Sequence, residues 1–300
     1  MHPTLIVGSV AFDTLHIGGK CHTKVLGGSA TYASIAATHF GPVQLVGVVG
    51  RDFPDTATRL LRDRGVDLAG LEVTDGETFH WEGRYSDDLS SRETLRTDLN
   101  VFADFRPKIP STFRSTPFVM LGNIDPTLQM EVLEQITRPK LVLADTMNLW
   151  IDIRRDELCE LCKRVDVLVL NDEEARQLTD EKNLVVAARA LHALGPKTVI
   201  IKKGEHGALL LQGQDVFSLP ALPLADVADP TGAGDTFAGA LMGFLARSGD
   251  ISSANLRRAV VYGSVLASFC VQGVSTSRIA NATAEDVLAR YNEFQRLTSF

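Results

Sequence analysis

Seven residues, Asp229-Pro230-Thr231-Gly232-Ala233-Gly234-Asp235, restrict this chain more than any other stretch. Pro230 and Gly232 set a tight turn. Gly232 and Gly234 tolerate a positive φ and put no Cβ between the backbone and a ligand. Directly behind them, Phe237, Leu241, Phe244 and Leu245 recur at helical spacing, and Ser248-Gly249 stops the run. A glycine loop that opens straight into a helix aims unpaired N–H groups and the positive end of the helix dipole at one point, which makes an anion site. Asp235 sits inside it. A carboxylate within an anion site suits a hydroxyl that loses its proton beside a phosphate. The Ala233 and Gly234 amides then neutralise charge on the transferred group, and Asp235 accepts the proton. Asp229, taken alone, reads equally well as the acid that caps the turn.

Apolar runs at 5–10 (continuing to Asp13), 43–50, 118–121, 141–144, 165–170 and 199–202 alternate with helical patterns at 29–39, 55–64, 128–136, 156–163 and 184–194. That alternation predicts an α/β fold, a mostly parallel sheet with helices on both faces. Residues 208–211 add a late strand at the sheet edge, and 253–271 and 284–297 close the fold as helices. From 74 to 98 the texture changes. Thr78-Phe79-His80-Trp81-Glu82-Gly83-Arg84-Tyr85 alternates with a period of two, which predicts half-exposed antiparallel strands in a small appended sheet. Three hundred residues suit one large domain with such an appendage. Ligands of open α/β sheets bind outside the carboxyl ends of the strands. Asp13, Asn123, Asp145 and Asn171 are expected at such ends.

A net charge of −7 argues against nucleic acid or an anionic membrane as partner, so the positive field at the anion loop must be local. Lys202-Lys203-Gly204-Glu205-His206-Gly207, between two strands, is a candidate source. Asn171-Asp172-Glu173-Glu174 follows a strand and reads as a helix cap with acids in the first turn. Cys159 and Cys162 have metal-like spacing without a second pair, so Cys21, Cys159, Cys162 and Cys270 are expected to be free thiols. With no leader-like segment at the start and no apolar run near ~18–20 residues, a cytoplasmic location without a membrane span is expected.

Asp229 through Met242 resembles the second signature of the ribokinase-like (PfkB) carbohydrate kinases. The likeness extends along the chain through Gly8-Ser9, Asp13, Gly27-Gly28, Gly47, Gly50-Arg51-Asp52-Phe53, Asn171, Glu174 and Lys203-Gly204 with Gly207. It implies a ribokinase-like fold in a single domain, 1–300, with a β lid from about 14–25 and 74–99, using ATP and Mg²⁺ and pairing as a homodimer through the lid. By the same resemblance Asp235, Gly232, Ala233 and Gly234 are catalytic, while Asp13, Gly27, Gly28 and Tyr32 face the acceptor. Asn171, Lys202, Gly204 and Gly207 face ATP. Asn171 and Glu174 place Mg²⁺ largely through water, and Asp229 and Thr231 stand where members hold a monovalent cation such as K⁺.

The chain departs from the ribokinase-type pattern at Ala11 and Tyr32, where sugar-reading asparagines are expected. The resemblance therefore implies transfer of the ATP γ-phosphate to a primary hydroxymethyl group of a sugar or sugar derivative. Two alternatives are a nucleoside kinase and a non-catalytic sugar- or nucleotide-binding regulator. Phe12, Tyr32, Phe79, Trp81 and Tyr85 either fill the lid or stack on a base or sugar face.

Overall fold

Strands with apolar residues on both faces must be covered on both, and the centre of this chain is built from them. The computed structural model describes residues 1–89 and 91–299; Ser90, inside the span expected for the lid, and Phe300 lie outside the described residues. Nine strands make the main sheet: β1 (Thr4–Val7), β4 (Val43–Gly50), β5 (Val66–Thr74), β8 (Phe118–Leu121), β9 (Leu141–Asp145), β10 (Val167–Asn171), β11 (Thr198–Lys202), β12 (Ala208–Gln212) and β13 (Asp215–Leu219). Their order is β13-β12-β11-β10-β9-β8-β1-β4-β5, parallel from β11 to β5 and antiparallel at β12 and β13. Along β10, Val167 and Val169 face one hydrophobic core while Leu168 and Leu170 face another.

The first core is closed by α1 (Ser29–Thr38) and by the long α8 (Ala233–Ser248) and α9 (Ser253–Cys270). The second is closed by α3 (Pro126–Gln135), α5 (Arg155–Cys162), α6 (Asp172–Thr179) and α7 (Leu184–Ala193). The start of α8 lies over the carboxyl ends of the parallel strands, where the Lys202 side chain of β11 reaches Gly234.

A second sheet of four strands stands apart, with the order β3 (Lys20–Gly27), β2 (Ala11–Ile17), β6 (Phe79–Tyr85), β7 (Arg92–Asp98). Here the structure corrects the sequence reading. The first apolar run divides: β1 ends at Val7, and the chain leaves the main sheet before β2. Ser9 and Ser29 each donate a backbone N–H to the other's hydroxyl, at 3.2 and 3.0 Å, and pin that departure. Asp13 is therefore an interior residue of a lid strand, opposite Val25 and Trp81, and not the end of a core strand. The β6–β7 pair is antiparallel, as expected for 74–98, while β6 joins β2 in parallel. Two edge strands escape the apolar pattern, β5 and β13, because one side of each meets solvent. β12 is consequently one strand in from the edge.

Candidate active site

Gly232 is the N-cap of α8 at φ 74° and ψ 2°, in the left-handed region. A Cβ there would lie 2.4 Å from the Tyr32 ring, so backbone and packing both demand glycine. The N–H groups of Gly232 and Gly234 have no acceptor among the described residues, whereas Ala233 N–H turns back to the Pro230 carbonyl at 3.3 Å. The amides left open to an anion are thus those of Gly232 and Gly234; Ala233, expected to be one of them, is engaged in the turn.

Asp235 is the third residue of α8 and half-buried. Loss of hydration pushes its carboxyl up to about 7, helped by the like charge of Asp145 and opposed by Lys202 and Arg92. Asp229 is 1% exposed, and both its oxygens accept backbone N–H groups, from Thr231 at 2.9 Å and from Ser275 at 3.1 Å. That is the turn-capping geometry.

Asp13 faces the loop from the lid. It is 5% exposed, and its carboxyl makes no hydrogen bond to any described residue. Burial first, then the charges of Asp229 and Asp235, push its carboxyl up to about 8. Its Oδ2 fills the space a Gly27 Cβ would take, at 2.0 Å, so that glycine yields to Asp13 itself. Gly28 caps α1 at φ 92°. Tyr32, on α1, lies behind Gly232 at 1% exposure, and its hydroxyl has no partner among the described residues. The lid aromatics are partnered inside the chain. Phe12 stacks on Phe53 with centroids 5.9 Å apart and Phe79 on Phe102 at 5.4 Å.

On the other side β9, β10 and β11 end beside one another at Asp145, Asn171 and Lys202. Lys202 Nζ donates to both Asp145 oxygens at 3.2 Å, and the two side chains are only 16% and 3% exposed. A Cβ on Gly234 would meet the same Nζ at 2.9 Å, so the ammonium lies against the anion loop. Burial alone would lower the Lys202 pKa, but Asp145, Glu174 and Asp235 outweigh it and hold it raised. Asn171 and Glu174 form a capping box on α6, with Glu174 N–H donating to Asn171 Oδ1 at 2.8 Å and Asn171 N–H to Glu174 Oε2 at 2.7 Å. Burial pushes Glu174 up to about 7, against the charge of Lys202. Gly204 (φ 53°) and Gly207 (φ 88°) bound the short turn into β12.

The described residues hold no cluster of three or more His, Cys, Asp and Glu arranged for a metal ion. Glu174 Oε1 carries no hydrogen bond to any described residue. This donor set fits a Mg²⁺ that keeps water and phosphate as its main ligands. The described helices include none long and apolar enough to cross a membrane.

Three features of the site escape the sequence reading. The Tyr85 hydroxyl of β6 bonds the Thr231 hydroxyl at 2.9 Å, fastening the lid to the anion loop. Arg92 of β7 lies 5.2 Å from the Trp81 ring centroid, and its charge opposes the upward shifts of Asp13, Glu174 and Asp235. The third is the Asp145–Lys202 ion pair: Asp145 was expected at a ligand-facing strand end, but nothing linked it to Lys202, and nothing in the polar run around Arg92 marked that residue.

The sequence model of the pfkB family carbohydrate kinases matches residues 4–283. Cytidine kinase of Thermococcus kodakarensis is 32% identical over 248 residues, 81% of this chain and 87% of that protein. Aminoimidazole riboside kinase of Salmonella typhimurium is 27% identical over 294 residues, 87% of this chain and 86% of that one. An E. coli protein provisionally named ribokinase II, crystallised in complex with ATP and Mg²⁺, superposes with a TM-score of 0.80 over 98% of this chain and 100% of that chain at 18% identity.

Proposed function

This chain belongs to the pfkB family of carbohydrate kinases, and from that premise we propose that it phosphorylates the ribose 5′-hydroxyl of a nucleoside. Coarser than the acceptor, the activity is that of a sugar or nucleoside kinase, a phosphotransferase with an alcohol as acceptor. The observation that carries the mechanism is Asp235 at the start of α8, with open amides and the Lys202 ammonium on one side and Asp13 facing it from the lid. ATP would supply the γ-phosphate, and Mg²⁺, placed near Asn171 and Glu174, would neutralise charge on the phosphate oxygens. Asp13 accepts hydrogen bonds from acceptor hydroxyls and orients the CH₂OH group. The acceptor oxygen attacks phosphorus as its proton passes to Asp235, and the bond to the ADP oxygen breaks with its electron pair leaving on ADP. Gly232 and Gly234 N–H and Lys202 hold the charge on the equatorial oxygens. The Tyr85–Thr231 contact closes the lid against water.

Asn171, Lys202, Gly204 and Gly207 form the ATP side of the proposal, with Asn171 and Glu174 placing Mg²⁺. Gly27, Gly28 and Tyr32 support the acceptor side as the wall behind Asp13 and the loop. The nucleoside acceptor is supported by the two relatives named for riboside substrates, each aligned over more than four fifths of this chain. A free sugar is the second reading, supported by the family's match. ADP release with MgATP, measured against cytidine, uridine, adenosine, aminoimidazole riboside, ribose and fructose, decides between them. Cytidine or another riboside preferred by kcat/KM supports the proposal, and preference for a free sugar refutes it. Potassium at Asp229 and Thr231 rests on family likeness, while the two backbone bonds to Asp229 support the turn; replacing K⁺ by Na⁺ in that assay tests it. A homodimer through the lid belongs to the same proposal and is tested by light scattering.

A further inference from the structure

We propose that Asp145 is a positioning residue for phosphoryl transfer: it holds the Lys202 ammonium against Gly234, on the path of the transferred group, and keeps it off the base Asp235. The proposal rests on the kinase reading above. Lys202 is drawn by three carboxylates, Asp145, Glu174 and Asp235, and only Asp145 has hold of it, through both oxygens at 3.2 Å. The pair is buried. A buried ion pair is a poor device for stability, because the desolvation of two charges offsets most of their attraction. Its position is the informative part. β9 and β11 are not neighbours; β10 lies between them. The two side chains meet beyond the strand ends and within reach of Gly234, whose N–H is open. Asp145 is itself fixed, since its Oδ1 also accepts Thr146 N–H at 3.0 Å and its carbonyl accepts Gln129 Nε2 at 2.9 Å. The anchored partner is thus the acid and the mobile one the four-carbon lysine stem.

Released from Asp145, Lys202 has Glu174 and, on the loop itself, Asp235 as its remaining acidic neighbours, and a base paired to an ammonium is a weaker proton acceptor. The loss should therefore fall on kcat more than on acceptor KM.

The test uses the full chain as wild type, D145N, K202M and D145N/K202M. Two readouts are taken: turnover with an acceptor that the wild type phosphorylates, and the ATP-to-ADP affinity ratio by calorimetry with Mg²⁺ present. K202M is expected to lower kcat roughly 10²–10³-fold, as removal of one charge-stabilising donor does, and to lower the ATP-to-ADP ratio. D145N is expected to lower kcat about 10-fold or more with acceptor KM held within about 3-fold, and to lower the same ratio. The double variant should match K202M within about 2-fold in both readouts, because Asp145 acts only through Lys202. A double variant about 10-fold below K202M, or a ratio that neither single variant moves, overturns the proposal. Should D145N fail to fold, judged by its melting midpoint, the comparison of K202M with the double variant still decides. If the wild type phosphorylates no acceptor, the kinase reading fails by itself, and the affinity ratio still judges the Lys202–Asp145 pair.

Discussion

Asp13→Asn should make this protein more stable at pH 8 and less stable, by about 1–3 kcal/mol, near pH 4. The Asp13 carboxyl is 5% exposed, lacks a hydrogen bond among the described residues, and is pushed up to about 8 from 3.8. A carboxylate whose folded pKa is raised costs stability above its unfolded pKa. The cost is absent below about pH 4, grows as pH rises, and is complete above the folded value. A shift of about four units corresponds to a ceiling of roughly 5 kcal/mol. Asparagine keeps the shape and never carries the charge, but leaves buried amide protons unpaired, which costs about 1–3 kcal/mol. The net gain at pH 8 is then about 2–4 kcal/mol, or roughly 5–10 °C in Tm for a chain of this size. Thermal melts of both proteins at pH 5, 6, 7 and 8, without nucleotide or acceptor, give the difference directly. A Tm difference, variant minus wild type, that does not rise with pH, or a D13N protein less stable than wild type at pH 8, refutes the reasoning. The same variant should lose acceptor affinity, so stability and function trade against one another at this residue.

Asp235→Asn should lower kcat by roughly 10²–10⁴-fold, the usual worth of a general base, with ATP affinity by calorimetry unchanged; retained turnover would remove Asp235 from the mechanism. With that carboxyl pushed up to about 7, wild-type kcat/KM for the acceptor should fall tenfold per pH unit below about 7, because the protonated acid cannot accept a proton. Tyr85→Phe removes the 2.9 Å bond to Thr231, worth about 1 kcal/mol. Acceptor-independent ATP hydrolysis should rise about fivefold relative to kinase flux, and an unchanged ratio would mean that the contact does not hold the lid. Gly232→Ala places a Cβ 2.4 Å from the Tyr32 ring at φ 74°. It should cost roughly 2–5 kcal/mol from left-handed strain and overpacking together, visible as a lowered Tm.

What the sequence made legible were features with local causes. The glycine loop announces its turn and its helix within a dozen residues, and the parallel core strands announce themselves as apolar runs because both faces are covered. β5 and β13 were illegible because an edge strand needs only one apolar face, and neither makes a continuous apolar run. The early exit of the chain after β1 was illegible for a different reason. Leu5 through Phe12 is apolar but for Ser9, and what divides the run is that serine's pairing with Ser29, twenty residues away. The Asp145–Lys202 pair spans fifty-seven positions and two strands; no local pattern links them. Arg92 lies in a polar run whose register against β6 alone decides that it faces Tyr85. Site chemistry was thus readable where one loop carries it and hidden where the sheet assembles it.

The assembled part explains an imbalance in the site. Asp145, Glu174 and Asp235 gather around one buried lysine, while Asp13, beside Asp229, feels one lid arginine, in a chain of net charge −7. A fold selected for stability alone would not collect them, since burial raises the proton affinity of every one. Three are pushed up to between about 7 and about 8, close enough to neutrality for a neighbouring charge to decide whether each holds a proton. For Asp235 the neighbours are Asp145, whose charge raises it, and Lys202, which lowers it and is held by both Asp145 oxygens. In the proposed mechanism the base works because its cation is kept on the loop side at Gly234, where it opposes charge on the transferred group instead of cancelling the charge that takes the proton.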